Sequence, residues 1–309
     1  MTGLMKMKNK KKLKKYIPIY IMMLPGLVYL FINNYMPLPG LVVAFKQFNA
    51  KLGIYGSKFI GLKNFEYLFK TTDAWVITRN TILYNIAFII VNTVMSILIA
   101  VILSELTGKR KKFYQSAILL PNLISTVIIG YLVFAFLSVE NGFVNNTVLP
   151  LLGIDSISWY SEPKYWPLII IFTNAWRSVG YSCIIYLATI MSFDRSFYES
   201  AMVDGATRWK QFKHITLPLL KPTIIMLTLM AIGRMFYSDF GLFYQVPMNQ
   251  GALYATTNTI DTYVYRGLLQ LGNISMSAAA GVYQSIVGFI LVLSVNLLVR
   301  KIDKDSALF

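Results

Sequence analysis

The chain has 309 residues, of which 56% are hydrophobic and 14% charged, and its mean hydropathy is +0.57. This composition excludes an ordinary soluble domain and indicates an integral membrane protein. The formal net charge of +16 would also suit a nucleic-acid partner. However, the Lys and Arg residues cluster beside the apolar runs, which is typical of membrane topology, so we expect no nucleic acid among the partners.

Six apolar runs approach the ~20 residues that a helix needs to cross a bilayer. They lie at about 16–34, 79–103, 114–138, 165–190, 219–240 and 277–299. The sequence therefore predicts an all-α integral membrane fold with six transmembrane helices, in a multi-pass protein of the cell membrane.

Basic residues predict how these spans are oriented. They concentrate in the tail before the first span, in the second and fourth connections, and at the end of the chain. Because cytoplasmic segments carry an excess of Lys and Arg, both termini should be cytoplasmic. We expect a basic cytoplasmic tail at 1–15, a six-span domain at 16–300 and a second cytoplasmic tail at 301–309. The fourth connection, 194–218, would be a cytoplasmic segment that we call the elbow.

The elbow has the pattern of two short helices that meet at a glycine. Ser196 and Glu199 form a capping-box signature, which predicts that a helix begins there. Gly205 lies where this helix should end, because glycine adopts a left-handed conformation without steric cost. A second helix would carry Trp209 and Phe212 on a shared face.

Other residues of the elbow suggest a surface for another protein. Phe197, Ala201 and Met202 have the spacing of one helical face. Pro218 would mark the entry to the next apolar run, where a missing N–H does no harm.

The fourth and fifth spans contain polar and charged residues within otherwise apolar runs. These candidates for a substrate pathway are Asn174, Trp176, Arg177, Tyr181, Arg234, Tyr237, Asp239 and Phe240. An ionised Arg within a span is costly unless it faces protein or water. Two interpretations are open. Arg177, Arg234 and Asp239 line one aqueous cavity, or they form an internal ion pair or extend to the membrane interface.

The motifs of most enzymes are absent from the sequence. There is no G-x-x-x-x-G-K-[ST] run, so the chain should not bind ATP phosphates through a P-loop. No Cys or carboxylate cluster with metal-ligand spacing surrounds His214, the one histidine. We therefore expect neither catalysis nor a cofactor or metal on this chain.

The elbow also carries a motif, E-S-A-x-x-x-G-x9-I-x-L-P. Its residues are Glu199, Ser200, Ala201, Gly205, Ile215, Leu217 and Pro218. It closely resembles the EAA signature of the membrane subunits of binding-protein-dependent ABC importers, with Ser200 in a position where Ala is usual. The segments PLPGLVVAFKQFN, GLKNF, Asp204-Gly205-Ala206 and IDTYVYRGL look like the carbohydrate-importing branch of that family.

This resemblance implies the type I importer permease fold and a set of partners. They are a second homologous permease, two cytoplasmic ATPase subunits that hold Mg-ATP, an extracellular solute-binding lipoprotein and an oligosaccharide. The implied ATPase-coupling residues are Phe197, Glu199, Ser200, Ala201, Met202, Asp204, Gly205, Leu217 and Pro218. Glu199 has two open roles, as a helix cap or as a contact. The alternatives are a permease for a non-sugar solute and an ATP-independent secondary transporter.

Overall fold

The computed structural model describes residues 2–302, which form a nearly all-helical bundle with one short hairpin. The helices are α1 (Thr2–Leu30), α2 (Gly53–Gly56), α3 (Lys63–Lys70), α4 (Thr72–Glu105), α5 (Gly108–Leu123), α6 (Thr126–Leu137), α7 (Leu149–Leu151), α8 (Trp166–Met191), α9 (Arg195–Val203), α10 (Arg208–Gln211), α11 (Leu217–Ile232), α12 (Phe240–Gln245), α13 (Tyr254–Thr257), α14 (Ile260–Leu269) and α15 (Ile274–Ile302). The antiparallel hairpin pairs β1 (Lys46–Gln47) with β2 (Lys58–Phe59). The all-α class is confirmed. Of the cytoplasmic tail predicted at 301–309, residues 303–309 lie outside the described part of the chain.

Within residues 2–302, five helical segments are long and apolar enough to cross a bilayer. They are Tyr16–Phe45, Thr72–Glu105, Pro163–Met191, Arg208–Ile232 and Ile274–Lys301. Helices α5 and α6 qualify as a sixth only when they are taken together. This pattern agrees with the six spans that the sequence predicts.

The third span is not the continuous helix predicted at 114–138. Helices α5 and α6 are bent by 96° relative to each other. The two residues between them, Ile124 and Ser125, are extended, and the Ser125 hydroxyl accepts from the Ile128 N–H as the N-cap of α6. The bend therefore comes from a new helix start within an apolar run.

The fifth span ends earlier than predicted. Helix α11 stops at Ile232, and the chain turns before the Asp239 carboxylate caps α12 by accepting from the Leu242 N–H at 3.0 Å. Arg234 and Tyr237 therefore lie in a turn and not within the helix predicted at 219–240. At its other end, the span extends back through a π-helical turn, Phe212–Thr216, to α10.

The bundle is built around α4 and α8, against which α5 packs. Gly180 of α8 permits this close contact, because a Cβ there would lie 1.9 Å from the Ile118 carbonyl oxygen. Small residues allow membrane helices to approach each other in this way. Helix α3 packs against α15 and buries Leu68 completely, so it belongs to the bundle.

Away from the elbow, a buried polar network joins the start of α4 to the segment before α14. Its members are Asn80, Asn258, Thr259, Thr262 and Arg266, and all five are buried. Asn80 Nδ2 donates to the Asn258 carbonyl at 2.9 Å. Arg266 donates to Asn258 Oδ1 and, at 3.2 Å, to Thr262 Oγ1, and the ring of Tyr254 lies 4.1 Å from its guanidinium carbon.

Candidate functional site

Helix α9 of the elbow begins two residues earlier than the sequence predicts. Asp194 is the N-cap, and its Oδ1 accepts from the Ser196 N–H at 2.9 Å. This hydrogen bond lowers the pKa of the Asp194 carboxyl. The predicted capping box at Ser196 and Glu199 is wrong, because Ser196 already lies in the first turn. Among the described residues, the Glu199 side chain makes no hydrogen bond, so it is not a cap.

The predicted end of this helix is confirmed at Gly205, whose φ is +71°. The Gly205 N–H donates to the Met202 carbonyl at 3.1 Å, and the Ala206 N–H donates to the Ala201 carbonyl at 2.8 Å. These two bonds form a Schellman motif, in which a left-handed residue satisfies the last carbonyls of a helix. The chain then continues into α10, whose N-cap is Thr207.

The second half of the elbow is continuous with the fifth span. The rings of Trp209 and Phe212 are 5.4 Å apart, so the shared face that the sequence predicts is confirmed. The Tyr198 hydroxyl lies 3.0 Å from Thr216 Oγ1 and joins α9 to the π-helical turn. Arg208 forms an ion pair with Glu105 at the end of α4.

Helix α9 has no buried residue. Of the predicted coupling residues, Phe197, Glu199, Ser200, Met202, Asp204 and Gly205 are exposed and Ala201 is half-buried, whereas the exposed Leu217 and Pro218 lie at the start of α11. Glu199 and Met202 border a groove of about 430 Å³ between the elbow and the ends of α4 and α8. Sequence reasoning missed Val203, which is 89% exposed at the tip of α9 and extends the apolar surface of Phe197 and Met202.

A cavity of about 410 Å³ lies between α4, α8, α11 and the turn that follows α11. It brings together four of the predicted pathway residues, Asn174, Arg234, Tyr237 and Asp239. The other polar residues of its lining are Asn85, Asn92, Thr93, Ser178, Ser182 and Tyr186. Helical spacing could have indicated these residues, since 85, 92 and 93 share one face of α4 and 174, 178 and 182 share one face of α8.

The three charged candidates are not equivalent. Arg177 is ion-paired with Asp239, with side chains 16% and 32% exposed, and it also donates to Thr126 Oγ1 at 3.0 Å. Arg177 and Asp239 thus form an internal ion pair, and Asp239 also lines the cavity. Arg234 is exposed at the cavity, and within residues 2–302 its side chain has neither an ion pair nor a hydrogen bond.

The remaining pathway candidates do not line this cavity. Trp176 borders a separate apolar groove with Phe136 and Phe172. Tyr181 is exposed elsewhere on α8. Phe240 packs against two tyrosines, with its ring centroid 5.1 Å from that of Tyr244 and 4.6 Å from that of Tyr265. In the part of the chain that the structure describes, no group of three or more His, Cys, Asp or Glu residues could hold a metal ion.

The long apolar helices define a multi-pass helical membrane protein. Residues 74–304 match the family of the binding-protein-dependent transport system inner membrane component, and the chain belongs to this family. The resemblance inferred from the EAA motif is therefore confirmed. The chain is a multi-pass protein of the inner membrane.

Individual relatives agree with this assignment. The chain is 35% identical over 309 residues to the polygalacturonan/rhamnogalacturonan transport system permease protein YteP of Bacillus subtilis strain 168, with 97% of this chain and 94% of the relative covered. A bacterial ABC transporter involved in the import of the acidic polysaccharide alginate is 34% identical, with a TM-score of 0.86 over 95% of this chain and 98% of that chain.

A second structure of the alginate transporter contains a periplasmic protein with a bound alginate pentasaccharide. It matches with a TM-score of 0.85 and 34% identity, over 95% of this chain and 98% of that chain. Together, these similarities confirm the expected importer permease fold.

Proposed function

We propose that the chain is a permease subunit of an ATP-driven importer and forms half of the translocation pathway for an oligosaccharide. Its partners are a second homologous permease, two cytoplasmic ATPase subunits and an extracellular solute-binding lipoprotein. The family supports the importer class. The polysaccharides named for YteP and for the alginate transporter support a carbohydrate substrate.

The observation that carries this proposal is the geometry of the elbow. Its first helix has no buried residue, and Gly205 ends that helix in a left-handed conformation. Phe197, Met202 and Val203 provide an apolar surface, and burying one such side chain contributes about 1.5–3 kcal/mol. An exposed apolar helix tip is typical of a docking surface. We assign it to a cleft of the ATPase subunit on the cytoplasmic side.

The work of the permease is mechanical. ATP binds to the partner subunits and closes them, each docked elbow moves with its subunit, and the spans exchange inward for outward access. The cavity lined by Asn85, Asn92 and Asn174 supplies amides for sugar hydroxyl groups along the pathway. No residue of this chain is assigned a chemical step.

Two variants of Gly205 test the docking role. A Cβ at this position meets no atom within 4 Å, so the Cβ of neither Gly205→Ala nor Gly205→Asp clashes with the chain itself. Both variants carry the left-handed strain of about 1–2 kcal/mol, and Asp tolerates this conformation better than Ala. Gly205→Asp should nevertheless reduce co-purification of the ATPase about 10-fold relative to Gly205→Ala, because its carboxylate projects into the partner.

The measurement is the ratio of ATPase to permease after affinity purification, together with uptake of labelled oligogalacturonide into proteoliposomes. Equal ratios for the two variants would contradict docking at the elbow. Uptake that vanadate does not inhibit would support an ATP-independent secondary transporter. Uptake of a non-carbohydrate solute alone would support the importer class and contradict the carbohydrate substrate.

A further inference from the structure

The cavity between α4, α8 and α11 contains one positive charge, that of Arg234, which no acidic group among residues 2–302 neutralises. The charge of Asp239 is compensated by Arg177, which also fixes the position of that carboxylate. Arg234 lines the same cavity and is exposed to it, without an ion pair or side-chain hydrogen bond among residues 2–302. A guanidinium matches the two oxygens of a carboxylate, with which it forms paired, charge-assisted hydrogen bonds.

The same cavity contains an amide with unused hydrogen-bonding capacity. Asn92 Nδ2 donates to Asn174 Oδ1 at 3.0 Å. The other amide atom, Asn92 Oδ1, is buried and accepts no hydrogen bond from the described residues. A buried acceptor without a donor is destabilising, so a ligand hydroxyl group that reaches it stabilises the complex. Sugar hydroxyl groups are donors of this kind.

A uronate sugar combines the two groups for which the cavity has unpaired partners, a carboxylate and neighbouring hydroxyl groups. We infer that the cavity binds an acidic, uronate-containing oligosaccharide, with Arg234 binding the carboxylate and Asn92 accepting from a sugar hydroxyl group. This inference rests on the proposed function and adds the charge of the substrate to it. Arg234 is thus a specificity-determining residue, and Asn92 binds acidic and neutral sugars alike.

The test measures equilibrium binding to the complete transporter in nanodiscs without the solute-binding protein, so that the selectivity of that protein does not contribute. The probes are labelled trigalacturonic and trimannuronic acids, their methyl esters and maltotriose. In the wild type, at least one acid should bind about 10-fold more tightly than its ester. This preference should weaken between 50 mM and 500 mM salt, because screening acts on the charged contact.

The variants separate charge from hydrogen bonding. Arg234→Gln should weaken the acid about 10-fold, leave the ester unchanged and remove the salt dependence, whereas Arg234→Lys should retain part of the preference. Asn92→Ala should weaken the acid and the ester by the same factor. Lys58→Gln removes an exposed cation outside the cavity and should change neither.

An acid preference that persists in Arg234→Gln would overturn the inference, as would equal binding of acid and ester in the wild type. If the transporter takes up carbohydrate with the same selectivity in all variants, this inference fails and the proposed function stands. If no carbohydrate binds or is taken up, both fail.

Discussion

At one end of the bundle, helix α9 of the elbow has no buried residue and is joined to the fifth span through the hydroxyl groups of Tyr198 and Thr216. At the other end, the buried polar network connects Asn80 to Asn258 and Arg266. Asn80 lies 25 residues before Glu105, the end of α4 beside the elbow, which is about 37 Å at the helical rise. The first contact is a single pair of hydroxyl groups, one on the half-buried Tyr198 and one on the buried Thr216. The second is a set of hydrogen bonds among buried side chains.

This difference indicates which end is fixed and which end can move. Elements with few buried contacts open at low free-energy cost, whereas buried networks open only with the whole fold. A docking helix benefits from contacts that can be exchanged, and the network holds the opposite ends of the spans in one arrangement. Substitutions at the two ends should therefore affect different measurements.

The largest effect on stability is expected from Arg266→Met. It removes the hydrogen bonds that the guanidinium donates to Asn249, Asn258 and Thr262, of which the last two residues are buried. We expect a loss of about 3 kcal/mol in the free energy of unfolding, measured by thermal unfolding of the purified transporter. Arg300→Met is the matched control, because Arg300 is exposed in the last turn of α15, and it should stay within about 0.5 kcal/mol. Equal melting temperatures for the two variants would show that the buried network does not stabilise its end of the bundle.

A smaller effect, of a different kind, is expected from Tyr198→Phe. The variant keeps the ring and loses the hydroxyl that bonds to Thr216, which is about 1 kcal/mol of local stability. The number of sugars taken up per ATP hydrolysed should fall about two- to five-fold, while the melting temperature stays nearly unchanged. A double-mutant cycle with Thr216→Val isolates the pair, because the second change should add little once the first has been made. Additive effects would show that the two hydroxyl groups do not couple.

The smallest effect is expected from Glu199→Gln. The Glu199 side chain has no hydrogen bond or ion pair among the described residues, and Gln keeps its shape and helix propensity. Stability should change by less than about 0.5 kcal/mol, and ATPase co-purification should remain well above that of Gly205→Asp. Glu199→Ala removes the shape of the side chain as well as its charge, so its difference from Glu199→Gln measures the contribution of shape. A loss as large as that of Gly205→Asp would make the charge itself the main docking contact.

Local signals in the sequence were enough to predict much of the fold. The apolar runs predicted the spans because length and hydropathy are properties of one segment. Gly205 was predicted as a left-handed helix end because glycine alone adopts that conformation cheaply. The cap of α9 was misplaced because Asp194 and Ser196 are both good N-cap residues, and spacing alone does not choose between them.

Long-range packing determined the features that the sequence did not predict. Hydropathy continues through Ile124 and Ser125, so the bend between α5 and α6 leaves no trace in it. Likewise, Arg177 and Arg234 are each a cation in an apolar run. Only the position of Asp239, at the start of α12, pairs it with Arg177 and leaves Arg234 without a partner in the described part of the chain. The sequence shows which residues carry amides, but it does not show that those of α4 and α8 line the same cavity.

The fifth span is continuous from Arg208 to Ile232, so a motion at one end is transmitted to the other. Its 25 residues extend for about 37 Å, from the tip beside Gly205 to the turn that holds Arg234. If the elbow end moves and such a rod tilts about its midpoint by about 10°, the far end is displaced by about 3 Å, roughly the length of one hydrogen bond. A displacement of that size is enough to form or break the hydrogen bonds between a guanidinium and its ligand. The span itself would then couple its two ends.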